Sequence, residues 1–262
     1  MIKKTSVVPV DVHPKTPDYR NWVSKKLIYI PGLLSVLSVG LALIFPPAFA
    51  FVILFLFTGA YFVWAWYQFS PGGGNIQVKV LNMIVDHLDW NGEGQALDIG
   101  CGNAPLTIML AQQFPQSRVT GIDYWGKNWD YSQGICQQNA TQEGVGERTQ
   151  FQKASASALP FEDDQFDLVV SNLVFHEVAE VKDKRELLRE ALRVVKKGGK
   201  FVFQDLFVEK MLYGEVDDLL KLLQSWGIEK VAFVKTCDAS FIPAGLKLPF
   251  MIGKIGIIYG EK

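Results

Sequence analysis

Hydrophobic residues form two long runs near the start of the chain. The first covers residues 27–45 and the second residues 48–67, and only Pro46 and Pro47 separate them. Each run is about 20 residues long, which is the length that a helix needs to cross the hydrocarbon core of a bilayer. Proline ends one helix and is well suited to begin the next. The pattern therefore predicts a two-helix transmembrane hairpin over residues 27–68.

The charges around this hairpin predict its orientation. Residues 1–70 carry six lysines and arginines but two acidic residues, and residues 27–78 carry no charge. The positive-inside rule then places the basic segment 1–26 in the cytoplasm, and two spans return the rest of the chain there. Three other interpretations stay open: a signal peptide with a cleavage site near residues 48–50, a hairpin buried in a soluble core, and a hairpin within one leaflet.

After residue 75 the hydrophobic spacing alternates between the period of strands and that of helices. A proline and three glycines in residues 69–75 predict a linker before this part. Strands are expected at 96–99, 118–122, 150–153, 166–171, 200–206, 230–235 and 255–259, and helices at 76–88, 105–114, 129–142, 182–195 and 215–226. Residues 76–262 are thus predicted to form an α/β domain with a doubly wound, mostly parallel seven-stranded sheet. The last two strands have no full helix between them, which predicts an antiparallel pair.

The overall composition excludes several classes of protein. The chain has 262 residues, of which 49% are hydrophobic, and a net charge of −1, so it is not expected to be disordered. Three cysteines are too few for a disulfide scaffold, and no group of cysteine and histidine has the spacing of metal ligands. The part of the chain beyond residue 70 has more acidic than basic residues and no basic stripe, so nucleic acid is not an expected partner.

The most informative motif is Asp98-Ile99-Gly100-Cys101-Gly102, which joins the first predicted strand of the sheet to a helix. Glycine allows a tight turn and a close approach of the backbone to a ligand, as in the first turn of nucleotide-binding sheets. Pro105 stands where the dinucleotide fingerprint has its third glycine, and no P-loop lysine follows. The next strand ends at Asp123, where a carboxylate can accept hydrogen bonds from ribose hydroxyls.

These motifs resemble those of the class I S-adenosylmethionine-dependent methyltransferases. Residues 155–161, SASALPF, are similar to the D-A-x-x-L-P-F motif of that family, and residues 166–172, FDLVVSN, to its FDLVxxN strand. Residues 193–199 are similar to the helix end and glycine pair that follow. The resemblance implies a Rossmann-like fold, S-adenosyl-L-methionine as cofactor, and an in-line methyl transfer that depends on alignment and on the exclusion of water.

The resemblance also implies a cofactor site. Its predicted members are Asp98, Gly100, Cys101, Gly102, Asp123, Tyr124, Ser155, Ala156 and Asn172. Tyr124 is favoured as the ring that stacks on adenine, with Trp125 and Trp129 as alternatives. Ser155 replaces the family aspartate that contacts the adenine amino group, which leaves the backbone N–H of Ala156 to serve. Cys101 is interpreted as a packing residue rather than a reactive thiol.

His176 is the candidate catalytic residue. It follows the fourth predicted strand at its carboxyl end, where ligands bind in open α/β sheets. It is interpreted as a general base or a substrate contact, and the alternative is a histidine that bonds only the backbone. Residues 241–253 are hydrophobic apart from Lys247, and they predict either a wall of the acceptor site or ordinary core packing.

Together these features predict a membrane-tethered methyltransferase that acts on a small, hydrophobic or membrane-associated acceptor such as a lipid, quinone or isoprenoid. The hairpin is the reason for expecting such an acceptor. One alternative is a catalytically inactive protein of the same fold that binds the cofactor or acts as a scaffold at the membrane. Another is a membrane-structural protein that no longer binds the cofactor. The intact glycine motif and Asp123 argue against inactivity, and Ser155 is the departure that favours it.

Overall fold

One seven-stranded sheet forms the centre of the protein, in a computed structural model that describes residues 16–126 and 131–262. Its strands are β1 Gly94–Ile99, β2 Ser117–Asp123, β3 Thr149–Lys153, β4 Phe166–Asn172, β5 Val195–Asp205, β6 Lys230–Lys235 and β7 Gly256–Glu261. Their order is β3-β2-β1-β4-β5-β7-β6. The first five strands are parallel, and β7 runs antiparallel to both β5 and β6. The predicted sheet and its antiparallel end are confirmed.

Helices cover both faces of this sheet. The α-helices of the described residues are α1 Lys26–Ala42, α2 Phe49–Phe69, α3 Ile76–Asp86, α4 Pro105–Gln113, α5 Gln133–Gln142, α6 Arg185–Arg193, α7 Lys210–Tyr213 and α8 Val216–Ser225. Side chains of α3, α4 and α5 pack on one face, and those of α6 and α8 pack on the other. Successive strand residues such as Leu168 and Val169 point into opposite clusters, because side chains alternate along a strand.

All five helices predicted in the α/β domain are shorter than expected, and two of them differ clearly. The helix expected over 129–142 begins at Gln133, because the Ser132 hydroxyl accepts a hydrogen bond from the N–H of Ile135 and caps it. Residues 127–130, and with them Trp129, lie outside the described residues. The helix expected over 182–195 covers Arg185–Arg193, since Val195 already pairs with Phe166 in the sheet.

The two hydrophobic runs form a helical hairpin, in which α1 packs along α2 and a short turn at Pro46–Ala48 joins them. Its tip is almost fully exposed at Leu43 and Ile44. Among the helices of the described residues, only residues 46–69 are long and hydrophobic enough to cross a membrane. Helix α1 has 17 residues, because the chain leaves the helix before Pro46, so the prediction of two spans is not supported.

The hairpin packs against the α/β domain at the end where α2 finishes. The Tyr61 hydroxyl donates a hydrogen bond of 2.8 Å to the carbonyl of Gly245, and the Tyr61 ring contacts Phe250. Val23 and Phe69 belong to the same hydrophobic cluster as Ile252. The hydrophobic segment 241–253 thus packs against the base of the hairpin.

Arg193 at the end of α6 holds the loop that contains residues 155–161. Its guanidinium donates to both carboxylate oxygens of Glu190, to Asp163, and to the carbonyls of Leu159 and Phe161. Glu190 in turn accepts a hydrogen bond from the N–H of Leu159. The planar five-donor fork of arginine is what allows one side chain to bind all these groups.

Replacing Arg193 by methionine should therefore lower the free energy of unfolding by about 2 kcal/mol, because several half-buried acceptors lose their donor. Arg185→Met is the matched control on the same helix, since Arg185 pairs with Asp183 alone near the surface. Its loss should stay within about 0.5 kcal/mol. Urea unfolding of the purified proteins, followed by tryptophan fluorescence, measures both. Equal losses would contradict the role given to Arg193.

Candidate active site

A cavity of about 1020 Å³ lies at the carboxyl ends of the parallel strands. Nine of the ten predicted site residues line it: Gly100, Cys101, Gly102, Asp123, Tyr124, Ser155, Ala156, Asn172 and His176. The tenth, Asp98, is buried behind this wall, where its carboxylate accepts a hydrogen bond of 2.6 Å from the Thr107 hydroxyl. Burial raises the pKa of Asp98 to about 7, against the opposing effect of that hydrogen bond.

The turn after β1 requires glycine for steric reasons. Gly100 and Gly102 have φ angles of +74° and +57°, which side chains disfavour. A Cβ atom at Gly100 would collide with Val174, which follows β4. The N–H groups of Gly100 and Cys101 donate to the carbonyl of Ile122, at 2.7 and 2.9 Å. The backbone of this turn therefore forms part of the cavity wall itself.

Asp123 holds the glycine turn in place from the end of β2. One of its oxygens accepts a hydrogen bond of 3.0 Å from the N–H of Gly102, and the other accepts one of 2.7 Å from the N–H of Trp125. Burial raises the pKa of Asp123, and these backbone bonds oppose the shift. Each carboxylate oxygen has a second lone pair, so the group can still accept hydrogen bonds from a ligand.

The structure separates the aromatic candidates for adenine stacking. Tyr124 is exposed and lines the cavity. Trp125 donates its indole N–H to the carbonyl of Gly102 at 3.0 Å and packs against the core beside α4. Trp129 lies outside the described residues. Of the two candidate rings that the structure describes, Tyr124 is thus the one that lines the cavity.

Another part of the cavity wall contains a buried polar atom that has no partner among the described residues. The side-chain oxygen of Asn172 is buried and has no hydrogen-bond partner in the described part of the chain. The Ser155 hydroxyl is partly engaged, since it accepts a hydrogen bond of 3.2 Å from the N–H of Ser157. Buried polar atoms are rarely left unpaired in folded proteins, so Asn172 indicates a site that a polar ligand completes. The glycine turn and Asn172 together fit a nucleoside-type cofactor.

An N-terminal strap, residues 16–25, forms a wall that sequence reasoning missed. Asn103 and Asn139 are both buried, and their side-chain amides donate to the carbonyl of Asp18 at 2.9 and 3.1 Å. The Asn139 oxygen accepts a hydrogen bond from the N–H of Asp18 in return. Beyond this clamp, Trp22 and Val23 line the cavity. The sequence shows Asn103 as a departure from the glycine motif. It gives no sign of the partner, Asp18, because the two residues are 85 positions apart in the chain.

Removing the Asn139 side chain should loosen the strap, because the Asp18 and Asn103 backbone groups that it binds would lose their partner. Such a loss costs about 1–3 kcal/mol, so Asn139→Ala should speed tryptic cleavage at Arg20 about tenfold. Gln138→Ala, an exposed neighbour on α5, is the control and should leave the cleavage rate unchanged. The assay compares cleavage rates at Arg20 by mass spectrometry. An unchanged rate in Asn139→Ala would show that the clamp does not hold the strap.

His176 lines the cavity and lies between two carboxylates. Its Nδ1 is 2.7 Å from Asp205, which is fully buried, and its Nε2 is 3.3 Å from Glu177. Burial alone would lower the pKa of His176, but the hydrogen bonds to Asp205 and Glu177 outweigh it and raise the pKa to about 9. With an acceptor facing each nitrogen, both carry a proton and the ring is an imidazolium. The sequence offered one indication of a role for Asp205, because this residue lies near the carboxyl end of a predicted strand.

This pairing should make stability depend on pH. The pKa of His176 is raised from 6.5 to about 9, so its stabilising effect is complete below about pH 6.5 and lost as the pH rises through 9. The difference in unfolding free energy between the wild type and His176→Asn should therefore shrink by about 3 kcal/mol between pH 6.5 and 9.5. Urea unfolding at each pH measures it. A difference that does not change with pH would show that the folded ring is neutral.

Comparison with known proteins agrees with this geometry. Residues 97–203 match a family model described as a methyltransferase domain. Methyltransferase GfsG of Streptomyces halstedii is 28% identical over 142 residues, which are 54% of this chain and 46% of that protein. A demethylmenaquinone methyltransferase of Lactiplantibacillus plantarum is 33% identical over 107 residues, which are 40% of this chain and 42% of that protein. The chain spans about half the length of the curated relatives it matches.

Solved structures share the fold of the α/β domain. Geranyl diphosphate C-methyltransferase from Streptomyces coelicolor A3(2), in complex with Mg²⁺, geranyl diphosphate and S-adenosyl-L-homocysteine, has a TM-score of 0.51 at 15% identity. The match covers 72% of this chain and 80% of that one. The [4+2]-cyclase SpnF has a TM-score of 0.52 at 19% identity and covers 70% and 80%. These likenesses show the fold.

Proposed function

We propose that this protein is an S-adenosylmethionine-dependent methyltransferase that acts on a small hydrophobic acceptor at a membrane. The observation that carries the proposal is the cavity, which combines two different walls. A polar wall contains the glycine turn, Asp123 and Asn172, and a hydrophobic wall contains Val23, Phe69 and other residues at the base of the hairpin. A site of this volume has room for a cofactor and for an acceptor beside it.

The polar wall is proposed to bind the cofactor. The turn at Gly100 and Gly102 would accommodate it closely, Asp123 would accept hydrogen bonds from the ribose hydroxyls, and the Tyr124 ring would lie against the adenine. Ser155 and Ala156 would face the far side of the base, and Asn172 has an unpaired acceptor to offer. S-adenosylmethionine supplies a methyl group on a sulfonium, which is a good leaving group. The chain itself then has to orient the acceptor and exclude water, and the strap over the cavity serves the second task.

His176 is proposed to contact the acceptor as a hydrogen-bond donor. An imidazolium has no lone pair with which to accept a proton, so the resting state does not suit a general base. Asp205 keeps Nδ1 occupied from the buried side, whereas Glu177 is exposed and can release Nε2 to an incoming group. The N–H at Nε2 would then fix the polar end of the acceptor.

The hairpin is proposed to insert into a bilayer from the side of the methyltransferase domain. Its two ends meet at the domain, where Val23 and Phe69 share one cluster, while its tip is the part farthest from that contact along the chain. Helix α2 is long enough to cross, and α1 reaches about 26 Å against a core of about 30 Å. Exposed Lys25 and Lys26 at the base favour a cytoplasmic position for the strap and the domain.

A membrane location agrees with a hydrophobic acceptor. The relative from Lactiplantibacillus plantarum is named for a quinone, and an acceptor with that kind of hydrophobic body would suit the wall formed by Phe69 and Ile252. The same fold occurs in a protein called a [4+2]-cyclase, so the fold by itself does not decide the reaction. The proposal therefore depends on the cofactor wall, which can be tested directly.

The cofactor test uses the full chain in detergent micelles, because the strap and the hairpin base form part of the cavity. Calorimetry should detect binding of S-adenosylmethionine, and Asp123→Asn should weaken it about 10- to 100-fold through loss of charge-assisted hydrogen bonds. Asp217→Asn, an exposed residue on α8, is the control and should bind like the wild type. A folded wild type that does not bind the cofactor would refute the enzyme proposal.

Turnover distinguishes an enzyme from the inactive alternative. Membrane extract and soluble extract are each incubated with the protein and a methyl-labelled cofactor, and the expected label appears in the organic phase of the membrane sample. Label found only in water-soluble products would contradict a hydrophobic acceptor. Cofactor binding without any transfer from either extract would instead favour the inactive binding protein.

A further inference from the structure

We propose that the acceptor reaches the cavity directly from the bilayer, through a portal lined by Leu27 and Phe250, and that it is an amphiphile with a long hydrocarbon chain. The inference rests on the proposed function and adds the class of acceptor and its path. The polar head would lie near His176, while the chain would extend through the portal into the lipid around the hairpin.

The rim of the cavity has two chemically different parts. Residues that line a cavity and are also exposed lie at its mouth, and one group of these, Tyr124, Glu177 and Glu180, follows strands β2 and β4. A second group belongs to the hairpin or contacts it, namely Leu27 of α1, which is 42% exposed, and Phe250, which is 64% exposed. An exposed hydrophobic rim is costly in water and suits a path for a hydrophobic molecule. The acidic side suits the water-soluble cofactor.

The hydrophobic rim is continuous with the outer surface of the hairpin. Leu27 is in the first turn of α1, and Ile30 and Leu34 follow it at helical spacing and are also exposed. The ring of Phe250 contacts Tyr61 of α2. A molecule dissolved in the hydrocarbon around these helices can therefore move into the cavity without crossing water, which would cost it about 0.8 kcal/mol for each CH₂ group.

The interior beyond the portal is also hydrophobic. Val23, Phe69, Ile252 and Ile255 line the cavity and are buried, and they lie between the hairpin base and the residues that follow β4. Leu173, which directly follows Asn172, packs against the same cluster. The hydrophobic wall therefore reaches from Leu27 to the end of β4, where the cofactor wall begins.

The basic side chains at the portal favour an amphiphile of the membrane over a free hydrocarbon. Lys26 lines the cavity and is exposed, and Lys25 precedes it on the strap. Lysines at this position attract anionic head groups to the membrane surface next to the opening. A surface that served only as an anchor would explain the exposed faces of α1 and α2, but not why Phe250 of the domain lines the cavity as well.

Photolabelling tests this path without requiring activity. The full chain is placed in vesicles of phosphatidylcholine and phosphatidylglycerol that contain palmitic acid with a mid-chain diazirine, irradiated, and mapped by peptide mass spectrometry. Labels are expected on the buried cavity residues Val23, Ile252 or Ile255 as well as on outer residues such as Phe57. Labels confined to the outer faces of α1 and α2 would overturn the proposal.

Charged variants at the portal sharpen the test. Leu27→Glu and Phe250→Glu should each reduce labelling inside the cavity about fivefold or more, because a carboxylate opposes passage of a hydrocarbon chain. Labelling of Phe57 should persist. Met211→Glu is the matched control, since Met211 is a 93% exposed hydrophobic residue that does not line the cavity. Equal interior labelling in portal and control variants would overturn the path.

Cofactor binding in the same vesicles keeps the two proposals apart. Wild type, portal variants and control should all bind S-adenosylmethionine equally, which also shows that the variants are folded. Binding of the cofactor without interior labels would overturn the portal and leave the proposed function standing. Interior labels without cofactor binding would refute the methyltransferase proposal while supporting the path for a hydrocarbon chain.

Discussion

The backbone of Gly102 is held from three directions, and the polar wall of the cavity depends on this. Its N–H donates to Asp123, and its carbonyl accepts from the Trp125 indole and from the thiol of Cys136. A glycine is needed because φ is positive, and the three partners come from β2, the loop after it and α5. The turn is therefore fixed by tertiary contacts rather than by its own sequence alone.

The order of the strands explains why the remaining site residues collect around this turn. Strands β2 and β4 both pair with β1, so Asp123, Gly100 and Asn172 lie at neighbouring carboxyl ends. The next parallel strand, β5, brings Asp205 beside the residues that follow β4, where it binds His176. Ligand sites of open α/β sheets form at this edge for the same reason.

The hairpin changes this common arrangement by supplying walls of its own. Residues of the strap and of the α2 end line the cavity beside the polar wall, and Asn103 and Asn139 hold the strap at Asp18. One cavity thus combines polar residues from the sheet edge with hydrophobic residues from the hairpin. This division links the chemistry of the domain to the lipid environment proposed for the helices.

Local patterns in the sequence were sufficient for much of this structure. Alternating periods located all seven strands, and the requirement for glycine at positive φ identified the turn at Gly100 and Gly102 before any contact was known. Predicted helix ends were less accurate, as at α6, because pairing of Val195 in the sheet competes with the helix. Helix α1 likewise ends short of a full span because the chain turns before Pro46.

Only the tertiary structure decided which distant residues meet. The order of the strands, the Asp205 partner of His176, the clamp of Asn103 and Asn139 on Asp18, and the packing of Tyr61 on Gly245 all join segments far apart in the chain. Hydrophobic period and turn chemistry act over a few residues, so they carry no information about such pairs. The contacts arise when the two faces of the sheet and the base of the hairpin are buried together.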